Sequence, residues 1–109
     1  MPLRESKTGS GVAFRTKKKL DLKKPGMYCV VLLNDDYTPR DFVVWVLQVV
    51  FHKGQSESER IMLEAHTRGR SIVGTYPLDI AKTYVAEVRR LADQNQFPLE
   101  CRVEKAMQE

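Results

Sequence analysis

No stretch of this 109-residue chain approaches the ~20 consecutive apolar residues that a membrane-spanning helix requires. The N-terminus carries no apolar core of the kind that marks a secretory signal, so none is expected. Cysteine is scarce. Cys29 and Cys101 are the only two, too few for a disulfide framework or a zinc-ligand cluster. Both fall in strand-like segments, where buried reduced thiols in a cytoplasmic setting are expected. Internal repeats are absent. At this length one domain is expected, with a thin core supplied by a hydrophobic content of 42%.

Charge is unevenly spread. Lys and Arg total 18 against 14 Asp and Glu, a net +4, which at face value points to nucleic acid or an anionic membrane. Residues 1–25 hold eight basic and two acidic side chains, +6, so the remaining 84 residues, with 10 basic and 12 acidic, carry −2. The first segment has few large apolar residues and cannot bury enough surface to fold alone. It is expected to be a flexible basic extension, with residues 26–109 as the folded domain and Pro25-Gly26 at the boundary. The folded part shows no basic-and-aromatic stripe or groove helix. Neither a nucleic-acid nor a membrane partner is therefore expected.

The pattern of residues 26–109 predicts β-α-α-β-α-β, an α/β sandwich with a small sheet covered by helices. Met27 to Leu33 is an apolar run of strand length. Thr38 is expected to cap a first helix, with Pro39 at its first position, Asp41 in its first turn and Gly54 as its stop. Phe42, Val43, Val46, Leu47, Val50 and Phe51 recur at helical spacing along it. Ser56 with Glu59 reads as a capping box for a second helix, ended by Gly69, with Ile61, Met62, Ala65 and His66 on its inward side. Ser71–Tyr76 reads as a strand. Pro77 opens a third helix carrying Ile80, Ala81, Tyr84, Val85, Val88, Leu91 and Ala92. Asn95 and Pro98 close it, and Leu99, Cys101 and Val103 alternate as in a half-buried strand.

One constellation could carry chemistry. Asn34-Asp35-Asp36-Tyr37-Thr38-Pro39 joins the first strand to the first helix, and His66 ends the second. The plain alternative makes Asn34 and Asp35 turn formers, Asp36 and His66 partners of helix dipoles, and Met62 core. Taken together, the same residues suit a cationic amine, which needs carboxylate and amide oxygens and a neutral nitrogen acceptor. Val43, Met62 and Leu99 supply apolar lining for an attached side chain. An enzyme would use Asp35, Asp36 and His66 as acid–base or metal groups. No third strong ligand and no activated nucleophile accompanies them, and neither Ser71 nor the cysteines have a partner at a recognisable spacing. No catalytic residue, metal or cofactor is therefore expected.

The strand Met27–Leu33, the Asn34–Pro39 run, Phe42-Val43, Val46-Leu47-Gln48, Met62-Leu63, His66, Gly69, Gly74 and Pro98–Cys101 resemble the ClpS family, adaptors of the Clp protease in the bacterial N-end rule. The resemblance covers about residues 25–106. It implies a three-stranded antiparallel sheet packed with three helices. It implies that Asn34, Asp35, Asp36 and His66 hold a substrate's α-amino group, and that Thr38, Pro39, Val43, Met62 and Leu99 line the pocket for the first side chain (Leu, Phe, Tyr or Trp). The implied partner is a ClpA-type AAA+ unfoldase working with ClpP, engaged in part by the N-terminal extension, and the adaptor itself is expected to be a monomer. Three positions depart from relatives. Arg40 replaces a methionine gate and is expected to swing to solvent and open the rim. Ala65 replaces a bulkier valine. Both changes predict weaker discrimination against N-terminal Ile or Val. On the implied unfoldase surface Asp79 keeps the family's acid, but Tyr84 stands in place of a lysine, and Lys82, though nearby, points elsewhere on the helix.

Overall fold

The structure, a computed structural model, describes residues 26–106. The proposed extension 1–25 and its boundary at Pro25 lie outside the described residues. The element order is β1 (Met27–Leu33), α1 (Arg40–Val49), α2 (Gln55–Arg68), β2 (Arg70–Pro77), α3 (Leu78–Gln94) and β3 (Glu100–Lys105). The strands form one antiparallel sheet in the order β2-β1-β3. The most apolar strand is thus the central one, hydrogen-bonded on both sides. Three strands and three helices, in the predicted order, are present.

The helices share one core with one face of the sheet. Val30 and Leu32 of β1, Val73 of β2 and Cys101 of β3 join Val46, Leu47, Ile61, Ala81 and Val88 in a single cluster. Alternate residues of β1 point the other way. Val31 is among these yet fully buried. Arg70 and Glu104, which stand opposite Leu33 and Cys29, meet at 2.6 Å across it. The opposite face of the sheet is therefore roofed by long charged side chains, whose aliphatic stems cover apolar surface.

A bulge in β2 sets which side chains face the helices. Val30 pairs with Gly74 and Val31 with Ile72, leaving Val73 as the extra residue. Ser71 and Val73 face inward before it, and Tyr76 packs inward after it. Tyr76 joins Phe51 and Tyr84, with ring centroids 4.9–6.5 Å apart.

Several local expectations need correction. Thr38 does not cap α1; the N-cap is Pro39, in extended conformation, because the Thr38 N–H and hydroxyl both donate to Asp35. α1 stops at Val49 rather than at Gly54. His52 adopts φ +60 and turns the chain, while Gly54 caps the start of α2. Ser56 and Glu59 form no capping box: Ser56 already lies inside α2, and Glu59 accepts from Gln55 at 2.6 Å instead. Ile80, placed on the inward stripe, is 42% exposed. His66 is exposed rather than inward, and Cys29 is half-buried, 3.9 Å from the Thr75 hydroxyl.

Candidate functional site

The loop after β1 is built by one carboxylate. Asp35 Oδ1 accepts the backbone N–H groups of Tyr37 (2.8 Å) and Thr38 (2.7 Å), and Oδ2 accepts the Thr38 hydroxyl at 2.9 Å. This is an Asx-turn reinforced by a side-chain bond. It fixes Pro39 at the head of α1 and projects Asp36 outward. Asp36 is exposed, and neither it nor the Asn34 amide makes a side-chain hydrogen bond among the described residues. The plain alternative for Asp35 is thus the one the geometry displays.

The opposite wall comes from the end of α2. Gly69 takes φ +91 as its left-handed C-cap, and its N–H bonds Ala65 O at 2.8 Å. Its own carbonyl accepts the Asn34 N–H at 3.1 Å. That one bond ties the end of β1 to the end of α2 and so sets Asn34 relative to His66, one turn back along the helix.

Between these walls lies a cleft of about 310 Å³. Asn34, Asp35, Asp36 and His66 line it, and so do Thr38, Pro39, Arg40, Val43, Met62, Ala65 and Leu99. Every residue expected at the amine seat or the side-chain pocket therefore borders the same hollow. Val43, Ala65 and Leu99 are buried and form an apolar floor, whereas Asn34, Asp36, Arg40 and His66 are exposed at the rim. The volume is at the low end of the ~300–1,000 Å³ typical of small-molecule pockets. An exposed polar rim over a small apolar floor suits a ligand with one charged head and one hydrophobic side chain.

Arg40 departs from expectation. Its guanidinium does not swing free: Nη2 donates to His66 Nε2 at 2.7 Å. The rim-opening half of the argument for Ile and Val is lost, and the short Ala65 side chain remains. Sequence reasoning also missed three lining residues, Leu32, Leu33 and Tyr37. The two leucines end the strand that precedes Asn34, so their position beside the loop was the available signal. Tyr37 is 80% exposed, and its place between Asp36 and Thr38 in the Asn34–Pro39 run was the available signal.

Asp79, Lys82 and Tyr84 lie on α3 and do not border the cleft. Asp79 and Lys82 are exposed, but Tyr84 is packed against Phe51 and Tyr76. Among the described residues no group of three His, Cys, Asp or Glu side chains could hold a metal ion. No described helix is long and apolar enough to cross a membrane.

Comparisons with known proteins identify the family. Residues 23–102 match the family described as ATP-dependent Clp protease adaptor protein ClpS. The ATP-dependent Clp protease adapter protein ClpS of Leptospira biflexa is 54% identical over 95 residues, covering 87% of this chain and 84% of the relative. That of Shewanella loihica is 47% identical over 100 residues, covering 92% and 98%. The structure of Agrobacterium tumefaciens ClpS2 bound to L-phenylalaninamide superimposes with a TM-score of 0.72 at 42% identity, covering 74% of this chain and 98% of that one. The chain belongs to the ClpS family of Clp protease adaptor proteins.

Proposed function

We propose that this adaptor binds the free α-ammonium and bulky first side chain (Leu, Phe, Tyr or Trp) of N-degron proteins. It then delivers them to a ClpA-type AAA+ unfoldase for degradation by ClpP. The observation that carries the reading is the convergence of Asn34, Asp36 and His66 at the rim of a small cleft floored by Val43, Ala65 and Leu99. The ammonium sits among the rim oxygens and the imidazole, and the first side chain enters the cleft. An ammonium–carboxylate pair near a surface is worth about 4 kcal/mol at ~4 Å. Burying a Leu or Phe side chain adds ~1.5–3 kcal/mol. These two terms are the main favourable contributions set against the cost of association. The ClpS2 relative, bound to L-phenylalaninamide, supports the reading: that molecule offers a free amine beside an aromatic side chain.

In this reading residues 26–109 are the substrate-binding domain and residues 1–25 an extension that engages the unfoldase. Asp79 lies on the docking surface, with Lys82 exposed nearby on the same helix and Tyr84 packed in the aromatic cluster beneath.

Titration with L-phenylalaninamide and N-acetyl-L-phenylalaninamide tests the core of the proposal. The free amine is expected to bind and the acetylated one not to. Equal binding of the two would overturn the ammonium as the recognised group.

A further inference from the structure

We infer that Arg40 is an internal competitor of the substrate amine: it holds His66 in the free protein and must leave it before the imidazole can accept an ammonium. The inference rests on the proposed function and deepens it. It starts from the 2.7 Å contact of Arg40 Nη2 with His66 Nε2. A guanidinium has donors only, so Nε2 must be the acceptor and the neutral ring must carry its proton on Nδ1. In that state neither ring nitrogen has a lone pair to offer. Nε2 has given its own to Arg40, and Nδ1 is itself a donor. An α-ammonium is likewise donor-only. The two cations therefore compete for one imidazole.

The surroundings give Arg40 somewhere to go. Arg40 and Met62 border both the cleft and a second, shallower groove between α1 and α2. That groove also holds Asp41 and Glu59. Arg40 opens α1 and His66 lies near the end of α2, so the contact bridges two helices across the mouth. A rotation of one exposed side chain moves the guanidinium from the imidazole toward the carboxylates of the groove.

A double-mutant cycle separates occupation of His66 from simple charge repulsion. L-phenylalaninamide is titrated into the full chain, Arg40→Met, His66→Ala and the double variant, with N-acetyl-L-phenylalaninamide as control. Arg40→Met is expected to bind three- to tenfold more tightly than the parent when His66 is present, and to bring no gain when His66 is alanine. An equal gain in both backgrounds, or none in either, overturns the inference. A second readout needs no ligand. Ring nitrogen NMR of the free protein is expected to show the Nδ1–H form of His66, and Arg40→Met to lose that bias. A free protein with the Nε2–H form would also overturn it. Failure of every variant to prefer the free amine over the acetylated one would instead refute the proposed function, leaving the tautomer measurement to decide on Arg40.

Discussion

At the scale of single residues, the two adjacent aspartates differ: one builds the loop, and the other, in the proposed function, meets the ligand. Asp35 is committed to three hydrogen bonds within its own loop, whereas Asp36 is exposed at the rim. Bonds to a charged acceptor are worth ~1.5–3 kcal/mol when shielded, less in this half-exposed loop. Asp35→Ala is therefore expected to cost about 1–2 kcal/mol of stability, and to weaken phenylalaninamide binding because the loop loosens. Asp36→Ala is expected to leave stability within about 0.5 kcal/mol and to weaken binding alone. Urea unfolding beside calorimetric titration distinguishes the two; similar stability losses would contradict the division. A third residue matters only to folding. Ser58 is fully buried in α2, and its hydroxyl has no hydrogen-bond partner among the described residues. Leaving a buried hydroxyl unpaired costs ~1–3 kcal/mol, and Ala is the better helix former. Ser58→Ala is expected to raise the urea midpoint; a lowered midpoint would mean that the hydroxyl is satisfied in solution, by water or otherwise.

Among secondary-structure elements, two glycines are required for different reasons, and substitution should tell them apart. Gly69 has φ +91 but open space where a Cβ would go. Gly69→Ala therefore meets only backbone strain, about 1 kcal/mol, and it perturbs the Asn34–Gly69 bond that sets the cleft. A Cβ on Gly74 would lie 2.5 Å from the Tyr76 hydroxyl oxygen. Gly74→Ala must displace that ring from Phe51 and Tyr84, at roughly 2–4 kcal/mol by analogy with overpacking and lost aromatic contacts. Thermal unfolding of both variants is expected to place Gly74→Ala well below Gly69→Ala. The reverse order would sink the steric account. The steric reason for Gly74 has no local signal in the sequence, because it depends on the bulge at Val73, which turns Tyr76 inward. The helix ends were misread for a related reason. Thr38 and Ser56 both have the right chemistry for a cap, but Asp35 claims the first and Gly54 already opens the helix before the second. The elements themselves were legible because Met27–Leu33 and the α3 stripe follow simple periods. The cleft was legible because its parts occupy the ends of those elements, where β1, α1 and α2 must converge. The Arg40–His66 contact joins residues 26 positions apart, and no local pattern marks it.

For the whole molecule, the core's composition sets how stability responds to pH. Cys101 faces the helices from β3, and burial, with a smaller contribution from the neighbouring Glu100, pushes its thiol from 9.0 up to about 12. Burial, with a smaller contribution from Tyr84, raises the Tyr76 phenol in the same direction. Both groups are neutral in the folded protein at neutral pH, so their full contribution is present there. Above pH 9 the unfolded chain loses the Cys101 proton while the folded protein keeps it. The unfolded state then binds fewer protons, and stability falls as pH rises. The decline runs from about pH 9 to about 12 for the thiol and amounts to a few kcal/mol, at ~1.4 kcal/mol per unit. Stability measured by urea unfolding from pH 7 to 11 is expected to drop steeply above pH 9 in the parent. Cys101→Ala should start less stable, because it leaves a small cavity, but should show a shallower alkaline slope, since only the phenol and the rest of the chain still titrate. The slope rather than the starting value is decisive. Parallel profiles would mean that Cys101 ionises as readily folded as unfolded, which the buried seat beneath the helices does not allow.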